Sequence, residues 1–332
     1  MIWITSCDQK KSAVSAENLL AISRINHCLE RAESDSLSNT QKLEYLNQSL
    51  ALAKESNIDS LILKTSNEKA EFYNSCYQDS AFAVLKEFEK MANAKKDTLY
   101  IAHSLLNLGE YYSALKQNKT AFSYFNKSNI QFKNCKDSSN IVYSLLLMSG
   151  ILKEKSDYYD MEAVNTEALK FISPTDKNLK HNYTCVYNNL GVALKQTFDY
   201  EKSLLYYKKS RQYAESDYDK MILENNIAAV YTLNNQPQKA LDILLPLDQL
   251  KSKEKNAKIN SLISNNIGLT YLKLNDSKSL DYFLKGVNIR KAENDTYGLI
   301  ACYAHLANYY KTNKKHYSPC KKICSKKLRR GY

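Results

Sequence analysis

A motif of helical length recurs six times along the 332-residue chain. In each copy a small residue follows an apolar residue, and a bulky apolar or aromatic residue stands three positions later. The small residues lie 37 to 42 positions apart, at Gly109, Ser149, Gly191, Ala228, Gly268 and Ala307. A unit of this length cannot bury its apolar face alone, so the spacing predicts a stack of similar units.

A second set of small residues follows the first at a distance of 11 to 14 positions, at Ala121, Ala163, Ser203, Ala240 and Ser279. In most copies a bulky residue stands four positions further on, at Phe125, Tyr207, Leu244 and Phe283, whereas Glu167 departs from this pattern. Small residues let two helix backbones approach, and bulky neighbours fill the remaining space. We therefore expect one helix to carry the first set and the next helix to carry the second.

The chain contains only 7 Gly and 4 Pro among its 332 residues. Nucleotide-binding parallel sheets, phosphate-binding loops and β-sandwiches need glycine-bearing turns at many places, so these fold classes are disfavoured. No run of 18 apolar residues occurs that could cross a bilayer as a helix. The 26 Tyr suit an array with many half-buried positions, because tyrosine buries its ring while its hydroxyl stays in water. An all-α fold is predicted.

These features resemble the tetratricopeptide repeat family, with Leu108, Gly109 and Tyr112 matching its first helix and Ala121 and Phe125 its second. The resemblance implies a right-handed α-solenoid of stacked antiparallel helix pairs, whose concave face is lined by the first helices and binds partners. The consensus Trp is missing, its closing Pro is largely absent, and the period is about 40 rather than 34 residues. Extended repeats of this kind are typical of bacterial signalling members. The other matching positions are Leu190, Gly191, Leu194, Ser203 and Tyr207; Ile227, Ala228, Tyr231, Ala240 and Leu244; and Ile267, Gly268, Tyr271, Ser279 and Phe283.

Four regions are distinguished along the chain. Residues 99–313 hold the clear repeats, and residues 15–98 hold degenerate helical repeats in which Leu43–Lys54 and Ala81–Ala92 have amphipathic periodicity. Residues 1–14 are interpreted as a truncated leader or tether. Residues 314–332 form a basic, irregular tail. An out-of-frame ending explains this tail best, and a basic arm for anionic lipid or nucleic acid is the alternative.

Most of the net charge belongs to the C-terminal tail. Residues 311–332 contain nine Lys or Arg and no acid, so the formal charge of +12 leaves 12 − 9 = +3 for the other 310 residues. A nearly neutral body argues against nucleic acid as a partner of the repeats. We expect the partner to be a protein or an extended peptide instead.

Ile4-Thr5-Ser6-Cys7 is similar to the lipobox of bacterial lipoproteins. This resemblance implies lipidation of Cys7 and a periplasmic or membrane-anchored location, although only six residues, none of them basic, precede Cys7. The alternative is a cytoplasmic protein in which Cys7 is an ordinary thiol. That alternative fits the scattered cysteines of the body, which we expect to be buried small apolar residues in a reducing compartment.

Paired asparagines mark a candidate recognition surface on consecutive repeats. Asn188, Asn225 and Asn265 stand three positions before the small residue, and each is followed by another Asn. In the family the first of these positions faces the concave groove, where an amide could bind a peptide backbone by both donor and acceptor. Replacing Asn225 and Asn265 with alanine should then weaken binding with little loss of stability. The alternative is that the asparagines serve hydrogen bonds between helices.

Lys153 and Lys195 stand four positions after the small residue of their repeats, as does Lys311. On the concave face these ammonium groups would favour an acidic ligand or a C-terminal carboxylate. The peptide-binding groove is therefore predicted to include Asn188, Asn225, Asn265, Lys195 and Lys153.

Sequence motifs of catalysis are missing from the chain. It contains no HExxH, GxSxG or GxxxxGK, and its five His are scattered. His316, Cys320 and Cys324 lack a convincing fourth metal ligand. We expect no enzyme activity, no cofactor and no metal site. The predicted function is a peptide- or protein-binding module, either the sensor or scaffold part of an envelope signalling protein or a cytosolic peptide-responsive regulator or assembly scaffold.

Overall fold

The computed structural model describes residues 16–172, 180–250 and 256–312. Within these ranges the chain forms fifteen α-helices and no strand, which confirms the all-α prediction. The helices are α1 Ala16–Glu33, α2 Asn39–Ser56, α3 Asp59–Cys76, α4 Gln78–Lys95, α5 Thr98–Ala114, α6 Asn118–Cys135, α7 Ser138–Glu154, α8 Tyr158–Ala168, α9 Lys180–Gln196, α10 Tyr200–Tyr213, α11 Asp217–Leu233, α12 Pro237–Leu250, α13 Ala257–Lys273, α14 Lys278–Ala292 and α15 Thr296–Thr312.

The odd-numbered helices from α5 onward carry the first set of small residues, and the even-numbered helices from α6 onward carry the second. Short turns fold α6 back on α5, α10 on α9, α12 on α11 and α14 on α13 as packed pairs. Successive odd-numbered helices also pack on each other, as α11 does on α13. The two amphipathic segments predicted before residue 98 lie within α2 and α4.

Three glycines allow close crossings between paired helices. A β-carbon added at any of them would stand 2.5 to 2.7 Å from an aromatic ring of the partner helix, closer than real side-chain atoms approach. The pairs are Gly109 with Phe125, Gly191 with Tyr207, and Gly268 with Phe283. At one crossing Ser203 also donates its hydroxyl to the carbonyl of Gly191 at 2.7 Å. The spacing argument is thus confirmed for these repeats.

The helix ends explain how a chain with so little glycine turns so often. Side chains such as those of Asp97, Asp199 and Ser216 accept a hydrogen bond from the helix they precede, satisfying a free backbone amide. At the opposite ends, residues such as Lys116 and Asn235 adopt the left-handed conformation usually left to glycine. In the described ranges no glycine has a positive φ.

The chain divides into two compact units, Met1–Ile151 and Leu152–Tyr332. A core cluster of the first unit contains Leu63, Leu85, Phe88 and Leu108. A core cluster of the second unit contains Met221, Leu244, Ile259, Ile263 and Ile267. The predicted repeat boundaries, including the change at residue 98, remain a prediction.

Candidate functional site

A groove of about 640 Å³ runs across α9, α11, α13 and α15 of the second unit. Its lining combines leucines, amides, hydroxyls and two lysines. The residues are Lys195, Gln196, Ala229, Thr232, Leu233, Asn266, Leu269, Leu272, Lys273, His305, Asn308 and Thr312. Every one of these residues belongs to an odd-numbered helix.

Helical periodicity gathers these side chains on one surface. Ala229, Thr232 and Leu233 lie three or four positions apart on α11, and Leu269, Leu272 and Lys273 repeat this spacing on α13. The other faces of these helices pack against their even-numbered partners, as Gly268 of α13 packs against Phe283 of α14. The lining stripe is therefore the face that the helix pairs leave open.

The paired asparagines form a ladder from one odd-numbered helix to the next. Asn226 donates its amide to Asn188 Oδ1 at 3.0 Å, and Asn266 donates to Asn225 Oδ1 at 2.9 Å. The hydroxyls of Thr232 and Thr270 add a bond of 2.8 Å between α11 and α13. The asparagines thus take part in hydrogen bonds between helices, the alternative that the sequence left open.

Within this ladder the two asparagines of a pair differ in exposure. Asn225 is 4% exposed, while Asn266 is half-buried and lines the groove. Asn188 is half-buried as well. Asn225 therefore supports the groove wall through its bond to Asn266, and direct peptide contact by Asn188 and Asn225 stays a proposal.

Asn265 is built into the core between α13, α14 and α15. Its side chain is 3% exposed and donates to Cys302 Sγ at 3.3 Å. A β-carbon added to Gly286 would stand 2.5 Å from Asn265 Oδ1, so that glycine makes room for the amide. Burial on this scale means that replacing Asn265 would cost stability, contrary to our expectation of a nearly silent substitution.

Lys195 is among the residues that line the groove, and its contact with a peptide stays a prediction. Its side chain is half-buried, and burial together with the charge of Lys153 lowers the pKa of Lys195 to about 8. Lys153 is more exposed and is not among the lining residues. Its pKa is lowered by partial desolvation and by Lys258, so the three ammonium groups share one region of the second unit.

Sequence reasoning missed most of the groove. Leu269, Leu272 and Asn308 were not singled out, because each fits an ordinary amphipathic helix, and His305 was noted only as one of five scattered histidines. His305 stacks on Phe283, with ring centroids 5.8 Å apart, and burial lowers its pKa. One sequence signal could have pointed to the groove, because its lining residues Ala229 and Leu269 directly follow the small residues at 228 and 268.

The first unit also contains a ladder of polar side chains, and the charged residues beside it are acidic. Asn107 donates to Asn67 Oδ1 at 3.1 Å, and Asn67 donates to Glu71 at 2.7 Å. Tyr143 donates its hydroxyl to Glu110 Oε1 at 2.8 Å. Burial raises the pKa of Glu110 and of Glu71. Here carboxylates accompany the ladder, whereas lysines do so in the second unit.

Within residues 16–172, 180–250 and 256–312, no three His, Cys, Asp or Glu side chains are grouped to hold a metal, and no helix is long and apolar enough to cross a bilayer. Asp157 caps α8, because its side chain accepts a hydrogen bond from the backbone amide of Asp160. Cys7, His316, Cys320, Cys324 and the basic tail lie outside the described residues.

The body cysteines follow the sequence expectation only in part. Cys28 and Cys302 are buried, as predicted, whereas Cys135 and Cys185 are half-buried. The expectation was wrong for Cys76, the last residue of α3, which is exposed.

Neither a family model nor a curated protein matches this sequence. Solved structures do resemble it. The apo form of the quorum sensor NprR from B. thuringiensis has a TM-score of 0.66 at 15% identity, covering 92% of this chain and 85% of that one. The structure of NprR in complex with its cognate peptide NprX has a TM-score of 0.60 at 14% identity, covering 92% of this chain and 86% of that one.

Two further structures extend the comparison. Aspartyl phosphate phosphatase F from Bacillus subtilis gives a TM-score of 0.64 at 15% identity, covering 98% of this chain and 86% of that one. A tetratricopeptide repeat protein from Parabacteroides merdae has a TM-score of 0.53 at 12% identity, covering 84% of this chain and 99% of that one. At these identities the likeness shows the fold alone. It confirms a tetratricopeptide-like arrangement of stacked helix pairs.

Proposed function

We propose that this chain is a peptide-binding repeat protein that holds an extended peptide in the groove of the second unit. The observation that carries the proposal is the groove itself, about 640 Å³ of open space lined by leucines, amides and lysines. Apolar walls bind side chains, and amide groups can hydrogen-bond to a peptide backbone without reading its sequence.

The similar structures support this proposal by analogy of fold. NprR is described as a quorum sensor and was solved with its cognate peptide NprX. Phosphatase F is named for an enzymatic activity. We propose binding without catalysis for this chain, because the groove lining contains one histidine and neither a carboxylate nor a cysteine beside it.

For the biological setting we propose the sensor or scaffold part of a bacterial envelope signalling protein, anchored by lipid on Cys7. The support is the lipobox-like Ile4–Cys7 sequence. A cytosolic peptide-responsive regulator is the second candidate, and it is favoured by the five free cysteines of the described residues. Incorporation of labelled palmitate into the native protein, lost in Cys7→Ser, would support the first. Unlabelled protein in the soluble cell fraction would support the second.

Peptide binding can be tested with a pool of random octapeptides passed over the immobilised full chain, with retained peptides identified by mass spectrometry. Ala229→Phe should abolish retention, because the ring would fill the groove between Thr232 and Leu233. Ala301→Phe is the matched control, since Ala301 is exposed on α15 outside the lining. Equal retention by both variants, at unchanged helical content, would show that the groove is not the binding surface.

A further inference from the structure

His181 and Cys185 stand four positions apart on α9, so their side chains are neighbours on one face of the helix. The structure places Cys185 Sγ 3.3 Å from His181 Nε2. His181 is exposed and Cys185 is half-buried, so solvent reaches the pair. About 21 Å of helix separates His181 from Lys195, so the pair lies well away from the groove.

The thiol of Cys185 has the properties of a ligand and not of a nucleophile. Burial and the charge of Asp219 raise the pKa of Cys185, so the thiol is protonated near neutral pH. A reactive cysteine needs the opposite, a lowered pKa that supplies thiolate. The protonated thiol can donate to the lone pair of His181 Nε2, which directs the sulfur and the nitrogen at one point between them.

The distance between these two atoms suits a metal of the zinc class. Zn–S bonds of about 2.3 Å and Zn–N bonds of about 2.0–2.1 Å, at the tetrahedral angle, place the two ligand atoms about 3.5 Å apart. The observed 3.3 Å is close to this value, so a cation could replace the shared proton with little movement of either side chain. Sulfur and imidazole ligands select zinc-class metals, whereas Mg²⁺ and Ca²⁺ take oxygen ligands.

A carboxylate next to the pair favours a cation there. Asp219 belongs to the first turn of α11, and its charge acts on Cys185. The hydroxyl of Ser216 donates to Asp219 Oδ2 at 2.6 Å and so holds the carboxylate in place. Its attraction for a cation opposes the unfavourable effect of the positive N-terminal end of α9.

We propose that His181 and Cys185 bind a zinc-class divalent cation, with water in the remaining coordination positions and Asp219 as a nearby opposite charge. On binding, the thiol proton passes to solvent, and the thiolate sulfur and the Nε2 lone pair each form one bond to the metal. Among the described residues no third His, Cys, Asp or Glu is grouped with the pair, so the site is open and the metal exchanges with solvent. The site is independent of peptide binding in the groove.

The sequence led us to expect no metal site, because His316, Cys320 and Cys324 were the ligands considered there. The test therefore uses the full chain with Cys7, Cys320 and Cys324 replaced by serine, so that thiols outside the described residues cannot bind the probe. The probe is cobalt(II), a coloured substitute for zinc.

Cobalt should bind this chain with one ion per chain and give a sulfur-to-cobalt charge-transfer band in the near ultraviolet. One equivalent of zinc should remove the band. The absence of such a band would overturn the proposal. One cobalt per two chains, together with a dimer in sedimentation, would show that a site within a single chain is wrong.

His181→Ala and Cys185→Ser should each weaken cobalt binding at least about tenfold, since even a residue that only supports a ligand is worth roughly 10–100-fold in affinity. Cys76→Ser is the matched control, because Cys76 is exposed and its thiol lies 3.8 Å from the hydroxyl of Ser75. The control should bind as the parent chain does. A band that is lost in Cys76→Ser and kept in Cys185→Ser would mean that the proposed ligands are wrong.

A substitution that keeps a ligand separates metal coordination from folding. Cys185→His should still bind cobalt, because two imidazoles four positions apart on a helix can hold one ion, but the charge-transfer band should vanish. Circular dichroism should show the same helical content in all variants. A charge-transfer band that persists in Cys185→His would assign the metal to another thiol and overturn the proposal.

The contribution of Asp219 is tested by removing its charge alone. Asp219→Asn keeps an oxygen that accepts from Ser216, and it should weaken cobalt binding by up to about tenfold. Asp217→Asn is the matched control on the same turn, since Asp217 pairs with Lys220 at 3.5 Å. Equal affinity in the two variants would remove Asp219 from the site.

Discussion

Gly191 lies so close to Tyr207 that a β-carbon on residue 191 would stand 2.6 Å from two atoms of the tyrosine ring. The ring cannot move aside easily, because Tyr207 is completely buried in the crossing of α9 and α10. The glycine is thus required by packing and not by backbone conformation, since no described glycine has a positive φ.

Gly191→Ala should destabilise the protein by about 1–3 kcal/mol, the usual result of adding atoms to a filled core. Gly150→Ala is the matched control within a helix, because a β-carbon there meets nothing within 4 Å. That substitution should stabilise by up to about 1 kcal/mol through helix propensity. Urea unfolding of the three proteins measures both effects, and equal stability of wild type and Gly191→Ala would contradict the packing argument.

Asn225 and Asn266 should respond differently to substitution, although a hydrogen bond of 2.9 Å joins them. Asn225→Ala removes a buried acceptor and should cost about 1–3 kcal/mol. Asn266→Ala leaves its half-buried groove position open to water and should cost less, while weakening peptide retention. Thermal unfolding and octapeptide retention, measured on both variants, separate the two roles. A larger stability loss in Asn266→Ala would reverse the assignment.

The sequence was sufficient to predict helix pairing because the crossing residues are local and periodic. Gly191 and Tyr207 could be matched from spacing alone, and the structure places them in contact. The same reasoning placed the first asparagine of each pair on the groove, whereas Asn225 is buried and Asn266, the second of its pair, lines the groove. Adjacent helix positions point about 100° apart, and the helix rotation that chooses between them is set by packing against other helices. For Asn265 that packing involves Gly286 and Cys302, which no local pattern connects.

Arg290 and Asp295 form a partly buried ion pair that should make stability depend on pH. Arg290 is 7% exposed and also donates to the carbonyl of Lys258 at 3.1 Å. The backbone amide of Gly298 is the main cause that lowers the pKa of Asp295, and Arg290 adds to it. A carboxyl whose pKa is lower in the folded than in the unfolded state stabilises the fold at pH values above its unfolded-state pKa, near 4. This stabilisation is lost as the pH falls through the folded-state pKa.

Asp295→Asn should therefore lower the melting temperature at pH 7, since it leaves Arg290 buried without its counter-ion. The difference from wild type should shrink as the pH falls below 4. Melting curves between pH 3 and 7 check this, with Asp35→Asn as the exposed control, whose distance to Lys42 is 4.0 Å. A difference that is constant with pH would mean that the charge of Asp295 has no stabilising role.

Glu110 should show the opposite dependence on pH. Burial raises its pKa, and the hydrogen bond from Tyr143 only partly offsets this effect. A carboxyl with a raised folded-state pKa favours the folded state at pH values below its unfolded-state pKa. This contribution is lost as the pH rises through the folded-state pKa. Ionised Glu110 is thus a cost to stability at neutral pH.

Glu110→Gln keeps an oxygen that accepts from Tyr143 but removes the buried charge. The variant should melt at a higher temperature than wild type at pH 7 and at nearly the same temperature below pH 4. Tyr143→Phe tests the bond itself and should lower the melting temperature at pH 7, because the carboxylate then loses its donor. If Glu110→Gln is less stable than wild type at pH 7, the surroundings of Glu110 stabilise its ionised carboxylate, contrary to the effect expected from burial.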